Sequence, residues 1–418
     1  MATNPFPGLR SFKPTEDDRF FGRQQQIDAL VAQPAEVPLM AVSSASGCGK
    51  SSLVLAGLLQ ELKRQHDAED ETDWRPVVMR PGNRPIAKLA AALAMALGAG
   101  GGDAPTDTPT DRPTDTVATG AEATADGASD EQDPLTRRIA SLYGQLRLRG
   151  LALVEVVLLA RLPTGTRVLV VVEQFEEIFR FKRMADADEA SAFVKLLLQA
   201  AADPVSPVSV VLTLRSDTLG GCADFPDLPE AVSRGSYLVP RLSRNQRKEA
   251  ITRPVALRSA RIAQRLVQRL LSDVSDDVDD LPVMQHALSR TWWRWAETCG
   301  GIRPIDLEHY DAIGAAAGAL SQHAEEARLS LGASGQQTAT GAGGAGPTAR
   351  TSANTNSGAP RGGLVERVFQ ALTERVAEGT EVRRPLDFNQ LCAVCGDGSA
   401  LGTAGPKTPG PAPAVTAS

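Results

Sequence analysis

The stretch Ser44-Ala45-Ser46-Gly47-Cys48-Gly49-Lys50-Ser51 decides the fold that we predict for this chain. A short apolar run, residues 39–43, precedes it and is typical of a buried strand. Residues 50–63 follow it and carry leucine and valine side chains at helical spacing. A strand, a Gly-rich loop ending in Gly-Lys-Ser and a helix together form a P-loop, whose backbone N–H groups point at phosphate oxygens.

Several residues of this loop have an expected role in binding ATP or ADP. Lys50 is expected to neutralise the β- and γ-phosphates, and the Ser51 hydroxyl is expected to ligate Mg²⁺. Gly47 and Gly49 let the backbone approach the phosphates closely. Further contacts of the loop with the cofactor are predicted at Ser46, Cys48 and Ser52. The alternative, a chance Gly/Ser turn, does not account for the strand and the helix that flank the loop.

An α/β fold follows from the order of the other predicted elements. Short strands are predicted at 75–79, 168–172 and 208–214, and helices at 85–97, 135–162 (one helix or two) and 187–201. Strands that alternate with helices predict a parallel sheet with helices on its faces. After about residue 241 the pattern becomes all-helical, which predicts a second, α-helical lobe.

A P-loop site also needs an acidic side chain near the magnesium ion, at the end of a neighbouring strand. Glu173 directly follows the strand predicted at 168–172 and takes this role, although Asp is usual there. Glu176 and Glu177 come next, and one of them is expected to polarise the attacking water. The alternative for this pair is a solvated helix start, where acidic side chains suit the helix dipole.

Arg215 closes the strand predicted at 208–214. Ligands of parallel α/β sheets gather at the carboxyl ends of the strands. Arg215 is therefore predicted to sense the γ-phosphate. The alternative is an ion pair with Asp217 or Glu176.

The composition of the 418-residue chain limits the classes of function. The net charge of -6 comes from residues 98–134, which hold nine acidic residues and one Arg, whereas the rest carries 43 basic and 41 acidic residues. A chain without a broad basic field does not favour nucleic acid as its main partner. No apolar stretch approaches ~18 residues, and the first residues lack a signal-peptide pattern. The sequence therefore predicts a cytoplasmic protein without a membrane span.

The five cysteines are too sparse to indicate a disulfide framework. Cys392 and Cys395 form a single C-x-x-C pair, and no second pair of ligands lies near them in the sequence. Zinc takes four ligands, so two half-buried thiols are the favoured interpretation of this pair.

Low-complexity segments divide the predicted folded regions. Segments rich in Gly, Ala, Thr, Ser and Pro cannot bury enough apolar surface to offset chain entropy. The predicted organisation is a P-loop NTPase domain over 1–240 with a disordered insert at 98–134, a helical lobe over 241–331, a disordered linker over 332–363, a partial winged-helix-like region over 364–395 and a disordered tail over 396–418.

Taken in order, these motifs resemble the STAND class of P-loop NTPases, and above all the bacterial novel STAND NTPases that are often joined to WD-type repeats. NPFPGLRSF at 4–12 and FFGR at 20–23 are similar to the family's opening, and VVEQFEEIF at 171–179 to its second acidic motif. TLRSD at 213–217 is similar to its sensor strand, and DLPVMQHAL at 280–288 to the proline motif that closes over the nucleotide.

The resemblance implies an AAA-like ATPase that serves as a two-state signalling switch. Gly22 and Arg23 would lie beside the adenine, and Pro282 against the nucleotide. ADP would hold the ATPase domain and the helical lobe together, and ATP would favour an open form that assembles with further copies. Slow hydrolysis would reset the switch. Family members usually carry an effector domain and a repeat sensor, which this sequence does not show, so a separate protein partner is expected.

Two other functions stay open at this point. The first is a nucleotide-binding interaction module without significant hydrolysis, because Ser44 replaces the usual first Gly of the loop and Glu173 replaces Asp. The second is a nucleic-acid-linked ATPase, since related folds include origin-recognition proteins and helicase loaders. The near-neutral charge of the predicted folded part does not suggest this second function.

Overall fold

A computed structural model describes residues 3–33, 37–69, 72–98, 133–273, 280–299, 302–333, 367–368, 370–375 and 381–383. The chain divides into two compact units, Met1–Leu320 and Ser321–Ser418. The predicted insert, linker and tail lie outside the described residues apart from a few residues at their ends. The domain boundaries drawn at 240 and 331 stay predictions.

A five-stranded parallel sheet forms the centre of the first unit. Its strands are β1 (Leu39–Ser44), β2 (Asp73–Met79), β3 (Thr166–Val172), β4 (Val208–Arg215) and β5 (Ser236–Leu238), and their order in the sheet is β2-β3-β4-β1-β5. The four predicted strands are present, with ends within two residues of those expected. The predicted α/β fold is therefore confirmed.

The position of β4 corrects one expectation. Glu173 was expected on a strand next to the P-loop strand, but β4 lies between β1 and β3 and pairs in parallel with both. Every residue of β4 before Arg215 is buried, as suits a strand that is covered on both faces. In the register of the sheet, Ser44 pairs with Arg215. The inserted strand thus places Arg215 beside the start of the P-loop.

Helices cover both faces of the sheet. They are α1 (Gln24–Val31), α2 (Lys50–Ser52), α3 (Leu59–Glu69), α4 (Pro85–Gly98), α5 (Pro134–Leu146), α6 (Ala152–Leu159), α7 (Glu177–Met184), α8 (Ala187–Ala202) and α9 (Leu228–Arg234). The segment Leu53–Leu58 between α2 and α3 is π-helical, so the P-loop helix runs continuously from α2 to α3. The segment predicted at 135–162 forms two helices rather than one.

Alternate residues of the strands build two hydrophobic cores. In β3, Val168, Val170 and Val172 pack with residues of α4 to α9, whereas Leu169 and Val171 pack on the opposite face with α1 and the P-loop helix. All five side chains are fully buried. Burying such a side chain contributes about 1.5–3 kcal/mol, so this pattern holds the carboxyl end of β3 in place.

The helical lobe follows the sheet, as predicted. It contains α10 (Arg244–Leu257), α11 (Gln264–Asp273), α12 (Asp280–Cys299) and α13 (Leu307–Asp311). A further helix, α14 (Ala315–Ala333), begins in the first unit and extends past its boundary at Leu320. The core of the lobe surrounds Trp292 and Tyr310 and includes Phe6, which comes from the first residues of the chain.

The second unit is described only in part. An antiparallel pair of strands, β6 (Thr373–Arg375) and β7 (Glu381–Arg383), lies in the region predicted to be winged-helix-like. The winged helix itself stays a prediction. Within the described ranges, none of the helices is both long and apolar enough to span a bilayer.

Candidate functional site

The loop between β1 and α2 has the backbone of a phosphate-binding loop. Gly47 and Gly49 have φ angles of 72° and 85°, in the left-handed region that favours glycine. The helix starts directly behind Gly49, whose carbonyl accepts the N–H of Leu53 at 2.9 Å. N–H groups in the first turn of a helix have no partner within that helix, and together they form an anion-binding site.

The ammonium group of Lys50 is held at the start of this loop. Its Nζ donates to the carbonyl oxygen of Ser44 at 3.1 Å, to Ser44 Oγ at 3.2 Å and to the carbonyl oxygen of Ala45 at 3.0 Å. Burial lowers the pKa of Lys50, and the charge of Glu176 acts in the opposite direction. The three hydrogen-bond partners are neutral oxygens, so an arriving phosphate would supply the negative charge that they lack.

Ser44 therefore has a role that the usual glycine could not fill. Besides accepting from Lys50, its hydroxyl donates to the carbonyl oxygen of Ala45 at 2.9 Å. The side chain is buried. Its hydroxyl helps to hold the lysine and does not obstruct the loop.

Glu173 lies at the carboxyl end of β3, and only 2% of it is exposed. Its Oε2 lies 3.4 Å from Arg80 Nη2. Its Oε1 is buried and has no hydrogen-bond partner among the described residues. A buried carboxylate oxygen without a partner costs free energy, so a cation or its water would stabilise this group. The donor set of Glu173 and Ser51, two hard oxygen ligands, fits Mg²⁺.

Arg80 was missed by the sequence analysis. It follows β2 directly and belongs to no motif, and 93 residues separate it from Glu173. Its Nε is buried without a partner in the described part of the chain. Only its proximity in the fold shows that it contacts the predicted magnesium ligand.

Glu176 and Glu177 have different surroundings. Glu177 Oε2 accepts the backbone N–H of Gly82 at 3.0 Å. Glu176 Oε2 is buried and has no hydrogen-bond partner within the described ranges. Burial raises the pKa of Glu176, and the charge of Lys50 partly offsets that rise. Because α7 begins at Glu177, the pair does occupy a helix start, but Glu176 also has the raised pKa expected of a general base.

The turn after Glu173 depends on a residue that sequence reasoning did not single out. Gln174 has a φ of 53°, and its N–H donates to Thr213 Oγ1 at 3.0 Å. The N–H of Phe175 donates to the carbonyl oxygen of Thr213 at 2.8 Å. Thr213 thus ties the turn between Glu173 and Glu176 to β4.

Arg215 forms the ion pair that was the alternative to a role at the γ-phosphate. Its Nε and Nη2 donate to the two carboxylate oxygens of Asp217 at 3.0 and 2.6 Å. This hydrogen bonding lowers the pKa of Asp217. Both side chains are about half exposed, and an exposed pair of this kind contributes about 0–1 kcal/mol. Arg215 can therefore be redirected to a stronger anion at low cost.

The charged groups of the site lie within electrostatic reach of one another. Glu176 and Asp217 both favour the protonated form of Lys50, whereas Arg215 disfavours it. The structure therefore brings together three residues predicted from separate motifs: Lys50, Glu176 and Arg215.

Gly22 and Arg23 connect the loop to the helical lobe. Arg23 is buried and donates to the carbonyl oxygen of Cys48 at 2.8 Å and to that of Pro240 at 2.6 Å. Burial lowers the pKa of its guanidinium. Gly22 has a φ of 86°, and a Cβ there would lie 2.5 Å from the carbonyl oxygen of Gln246 in α10. These contacts join the P-loop, the segment after β5 and the lobe.

The other predicted cofactor residues lie at or near the loop. Ser46, Cys48 and Ser51 are half-buried, and Ser52 Oγ accepts the N–H of Phe12 at 3.1 Å. Pro282 follows Leu281, whose Cδ2 would lie 3.4 Å from a Cβ placed on Gly49. The start of α12 therefore approaches the P-loop, and the contact of Pro282 with the nucleotide stays a prediction.

Comparison with known families gives one match of wide extent. A family model described as Novel STAND NTPase 1 matches residues 5–342 of the chain. No curated protein sequence matches the chain.

The solved structures that the chain is similar to are distant in sequence. The ORC2 protein of Aeropyrum pernix in ADPNP–ADP complexes has 11% identity and a TM-score of 0.43. The match covers 69% of this chain and 66% of the ORC2 chain, just under two thirds of its length. The ORC1 protein of Aeropyrum pernix in complex with DNA has 16% identity and a TM-score of 0.43 over 76% of this chain and 69% of its own. A Walker-type ATPase of Pyrococcus abyssi has 14% identity and a TM-score of 0.41 over 92% and 90%. At these TM-scores we infer nothing from the likenesses.

Proposed function

The chain belongs to the novel STAND NTPase 1 family, and on that premise we propose that it is a regulatory switch in signalling that binds ATP and hydrolyses it slowly. The observation that carries the proposal is the half-buried Lys50 ammonium, which three neutral oxygens hold in a loop built for phosphate. A nucleotide phosphate would complete its charge compensation.

Binding and hydrolysis would use the residues of one sheet edge. Lys50 and the N–H groups of the loop would hold the phosphates, and Ser51 and Glu173 would hold Mg²⁺, which neutralises developing phosphate charge when bound. Glu176 would take the proton of the attacking water. Arg215 would exchange Asp217 for the γ-phosphate, which is the stronger anion. We further propose that Arg80 positions Glu173 through the contact at 3.4 Å.

The contacts between loop and lobe support a switch in preference to a plain ATPase. Gly22 packs against the backbone of Gln246, Arg23 spans Cys48 and Pro240, and Leu281 approaches Gly49. A rearrangement of the loop upon phosphate binding would therefore reach the lobe through these three contacts. A ligand shifts such an equilibrium only if it binds the two states with different affinity, so ADP and ATP would have to differ at Arg215 and Glu176.

The nucleotide-binding module without hydrolysis is the second candidate. Glu173 supports this candidate, because its side chain is one methylene longer than that of the usual Asp and its carboxylate is already paired with Arg80. In that case binding would persist and turnover would be absent.

Turnover and binding by the purified full-length chain separate these functions. We expect Lys50→Ala to lose binding of ATP and ADP, whereas the control Lys195→Ala, an exposed lysine on α8, keeps it. We expect Glu176→Gln to bind ATP and to lower turnover by about 10²–10⁴-fold, the usual contribution of a general base. Glu177→Gln should retain most turnover. Full ATP binding by Lys50→Ala would overturn the whole proposal, and binding without turnover in the parent would favour the module.

Size-exclusion chromatography with bound ADP or with a non-hydrolysable ATP analogue tests the switch itself. A nucleotide-dependent change in hydrodynamic size or assembly is expected of the parent and not of Lys50→Ala. If both nucleotides give the same elution and the same protease-cleavage pattern while turnover persists, the protein is an ATPase without a switch. A duplex DNA probe in the same experiment tests the nucleic-acid-linked alternative.

A further inference from the structure

The end of α12 and the start of α13 bring three potential metal ligands together in the helical lobe, away from the P-loop motifs. They are Cys299, the last residue of α12, and Glu308 and His309 in the first turn of α13. One donor atom from each lies within 4.8 Å of the other two. None of the roles proposed above involves these residues.

The spacing of the donor atoms suits one small cation. Cys299 Sγ lies 3.3 Å from His309 Nε2, and His309 Nε2 lies 3.7 Å from Glu308 Oε1. Bonds of about 2.3 Å to sulfur and 2.0 Å to nitrogen or oxygen, in tetrahedral geometry, place ligand atoms roughly 3.5 Å apart. Small side-chain adjustments would therefore complete a site, and the 67% exposed carboxylate of Glu308 is free to make them.

The histidine ring is already oriented for ligation. His309 is 3% exposed, and its Nδ1 lies 3.0 Å from the backbone nitrogen and 3.3 Å from the carbonyl oxygen of Asp306. In one tautomer Nδ1 accepts the backbone N–H, and Nε2–H donates to Cys299 Sγ. In the other, Nδ1–H donates to the carbonyl oxygen and leaves the Nε2 lone pair available, which is the arrangement of most metal-bound histidines.

Residues 303–306, just before α13, are firmly held. Trp295 Nε1 donates to the carbonyl oxygen of Arg303 at 2.7 Å, and Ile305 N–H donates to the carbonyl oxygen of Arg261 at 2.7 Å. Arg265 forms a two-pronged ion pair with the carboxylate of Asp306. Since these contacts set the spacing of the ligands in advance, little ordering entropy would oppose binding.

We propose that Cys299, Glu308 and His309 bind a zinc ion, with water as the fourth ligand. A thiolate, an imidazole and a carboxylate together favour zinc over magnesium or calcium, which prefer oxygen ligands. Binding requires Cys299 to lose its proton. The bound ion would join α12 to α13 and stabilise the far end of the helix whose start approaches the P-loop.

Cobalt(II) substitution in the chelator-treated full-length protein tests this site, because a cobalt–thiolate bond gives a charge-transfer absorption band. We expect one Co²⁺ per chain with this band, displaced by Zn²⁺. The band should be lost in Cys299→Ser and kept in Cys222→Ser, whose thiol is buried elsewhere. It should also be kept in the double variant Cys392→Ser/Cys395→Ser. A band that survives in Cys299→Ser, or that disappears in the double variant alone, overturns the assignment.

A second measurement guards against variants that fail to fold. Glu308→Gln changes an exposed side chain, so the fold of this variant should be preserved. We expect its affinity for Zn²⁺ to fall about tenfold or more, since replacing even the hydrogen-bond partner of a metal ligand lowers metal affinity about 10–100-fold. Zn²⁺ should raise the Tm of the parent and not that of Cys299→Ser. If Zn²⁺ leaves the parent's Tm unchanged and no Co²⁺ band forms, Cys299 and His309 form a thiol–imidazole hydrogen bond only.

Discussion

At the residue scale, the hydroxyl of Thr213 holds the acidic turn of the candidate site. It accepts the N–H of Gln174, a residue in the left-handed region that directly follows Glu173. A non-glycine residue costs roughly 1–2 kcal/mol in this conformation. The turn is therefore held in an unfavourable backbone conformation by its contacts with β4.

Replacing this hydroxyl should loosen the turn. We expect Thr213→Val to lower the free energy of unfolding by about 1–3 kcal/mol, because the half-buried N–H of Gln174 loses its acceptor. Turnover should fall as well, since Glu176 would no longer be fixed. Thr213→Ser keeps the oxygen and is the matched control. Urea unfolding and ATPase assays on both variants provide the measurement, and equal losses in the two would refute the role of the hydroxyl.

The raised pKa of Glu176 predicts a pH dependence of stability. Because burial raises this pKa in the folded state, the folded protein binds the proton more tightly than the unfolded chain does. The contribution of this group to the free energy of unfolding is therefore fully present below its pKa in the unfolded chain, about 4.3. It is lost as pH rises through the pKa in the folded protein. Glu176→Gln removes the cost of burying the charge. The substitution should therefore change the free energy of unfolding more favourably at pH 7 than near pH 4.

Urea unfolding at the two pH values checks this expectation. Glu249→Gln, at an exposed position of α10, is the control for the substitution itself. A Glu176→Gln variant that loses stability at pH 7 would mean that the carboxylate is stabilised by a charge partner rather than penalised by burial.

Sequence reasoning found the residues of the site that are marked by local pattern. Gly47, Gly49 and Lys50 occupy fixed places in a short motif whose backbone demands are local. Arg80, and the contact of Thr213 with the acidic turn, could not be found in this way, because the partners lie 93 and 39 residues away in the sequence. Such contacts follow from strand order, which the motif does not encode.

At the scale of elements, the P-loop helix combines a phosphate site with very tight packing. All six residues of its π-helical segment Leu53–Leu58 are buried. A Cβ on Gly57 would lie 2.9 Å from Ile27 Cγ1 in α1. The side chain of Ile27 therefore leaves no space for a side chain at Gly57. Short π-helical segments are common at functional sites.

The element boundaries were predicted well, and the arrangement of the elements was not. Apolar runs such as 168–172 show where a strand lies, because burial on both faces demands them. They do not show which strand is its neighbour, so the place of β4 between β1 and β3 was missed. β5 has only three residues, too few for a recognisable period.

Gly22 offers a test of the contact between the N-terminal segment and α10. We expect Gly22→Ala to destabilise the protein by more than about 1–2 kcal/mol, because the Cβ meets both the strain of a positive φ and a backbone oxygen at 2.5 Å. Gly165→Ala is the matched control, since Gly165 has a φ of 88° and nothing within 4 Å of an added Cβ. Urea unfolding should show the larger loss for Gly22→Ala. Equal losses would mean that backbone strain alone matters.

At the scale of the whole first unit, the N-terminal segment joins the helical lobe to the P-loop helix. Asn4 Nδ2 donates to the carbonyl oxygen and to the Oγ of Ser289 in α12, at 3.1 and 2.9 Å. Phe6 is buried in the core of the lobe, and the N–H of Phe12 donates to Ser52 Oγ. Ser52 lies within the first turn of the P-loop helix, so this segment is a second connection between the site and the lobe.

Removing the Phe6 ring tests this connection. We expect Phe6→Ala to lower the free energy of unfolding by about 3–5 kcal/mol, the usual cost of deleting a buried phenylalanine. Leu9→Ala is the control in the same segment, because Leu9 is 52% exposed and should tolerate the change. Urea denaturation followed by tryptophan fluorescence reports on the lobe, whose core contains Trp292. A loss below ~1 kcal/mol would show that the segment is not anchored there.

The same segment sets an order of events during synthesis. Asn4 and Ser289 are 285 residues apart, so residues 4–6 are synthesised long before the part of the unit that contains their partner. All five strands of the sheet are made before that point. We therefore expect nascent chains that end after β5 to leave Phe6 open to protease, and chains that extend beyond α13 to protect it. Accessible Phe6 in the longer chains would contradict this order.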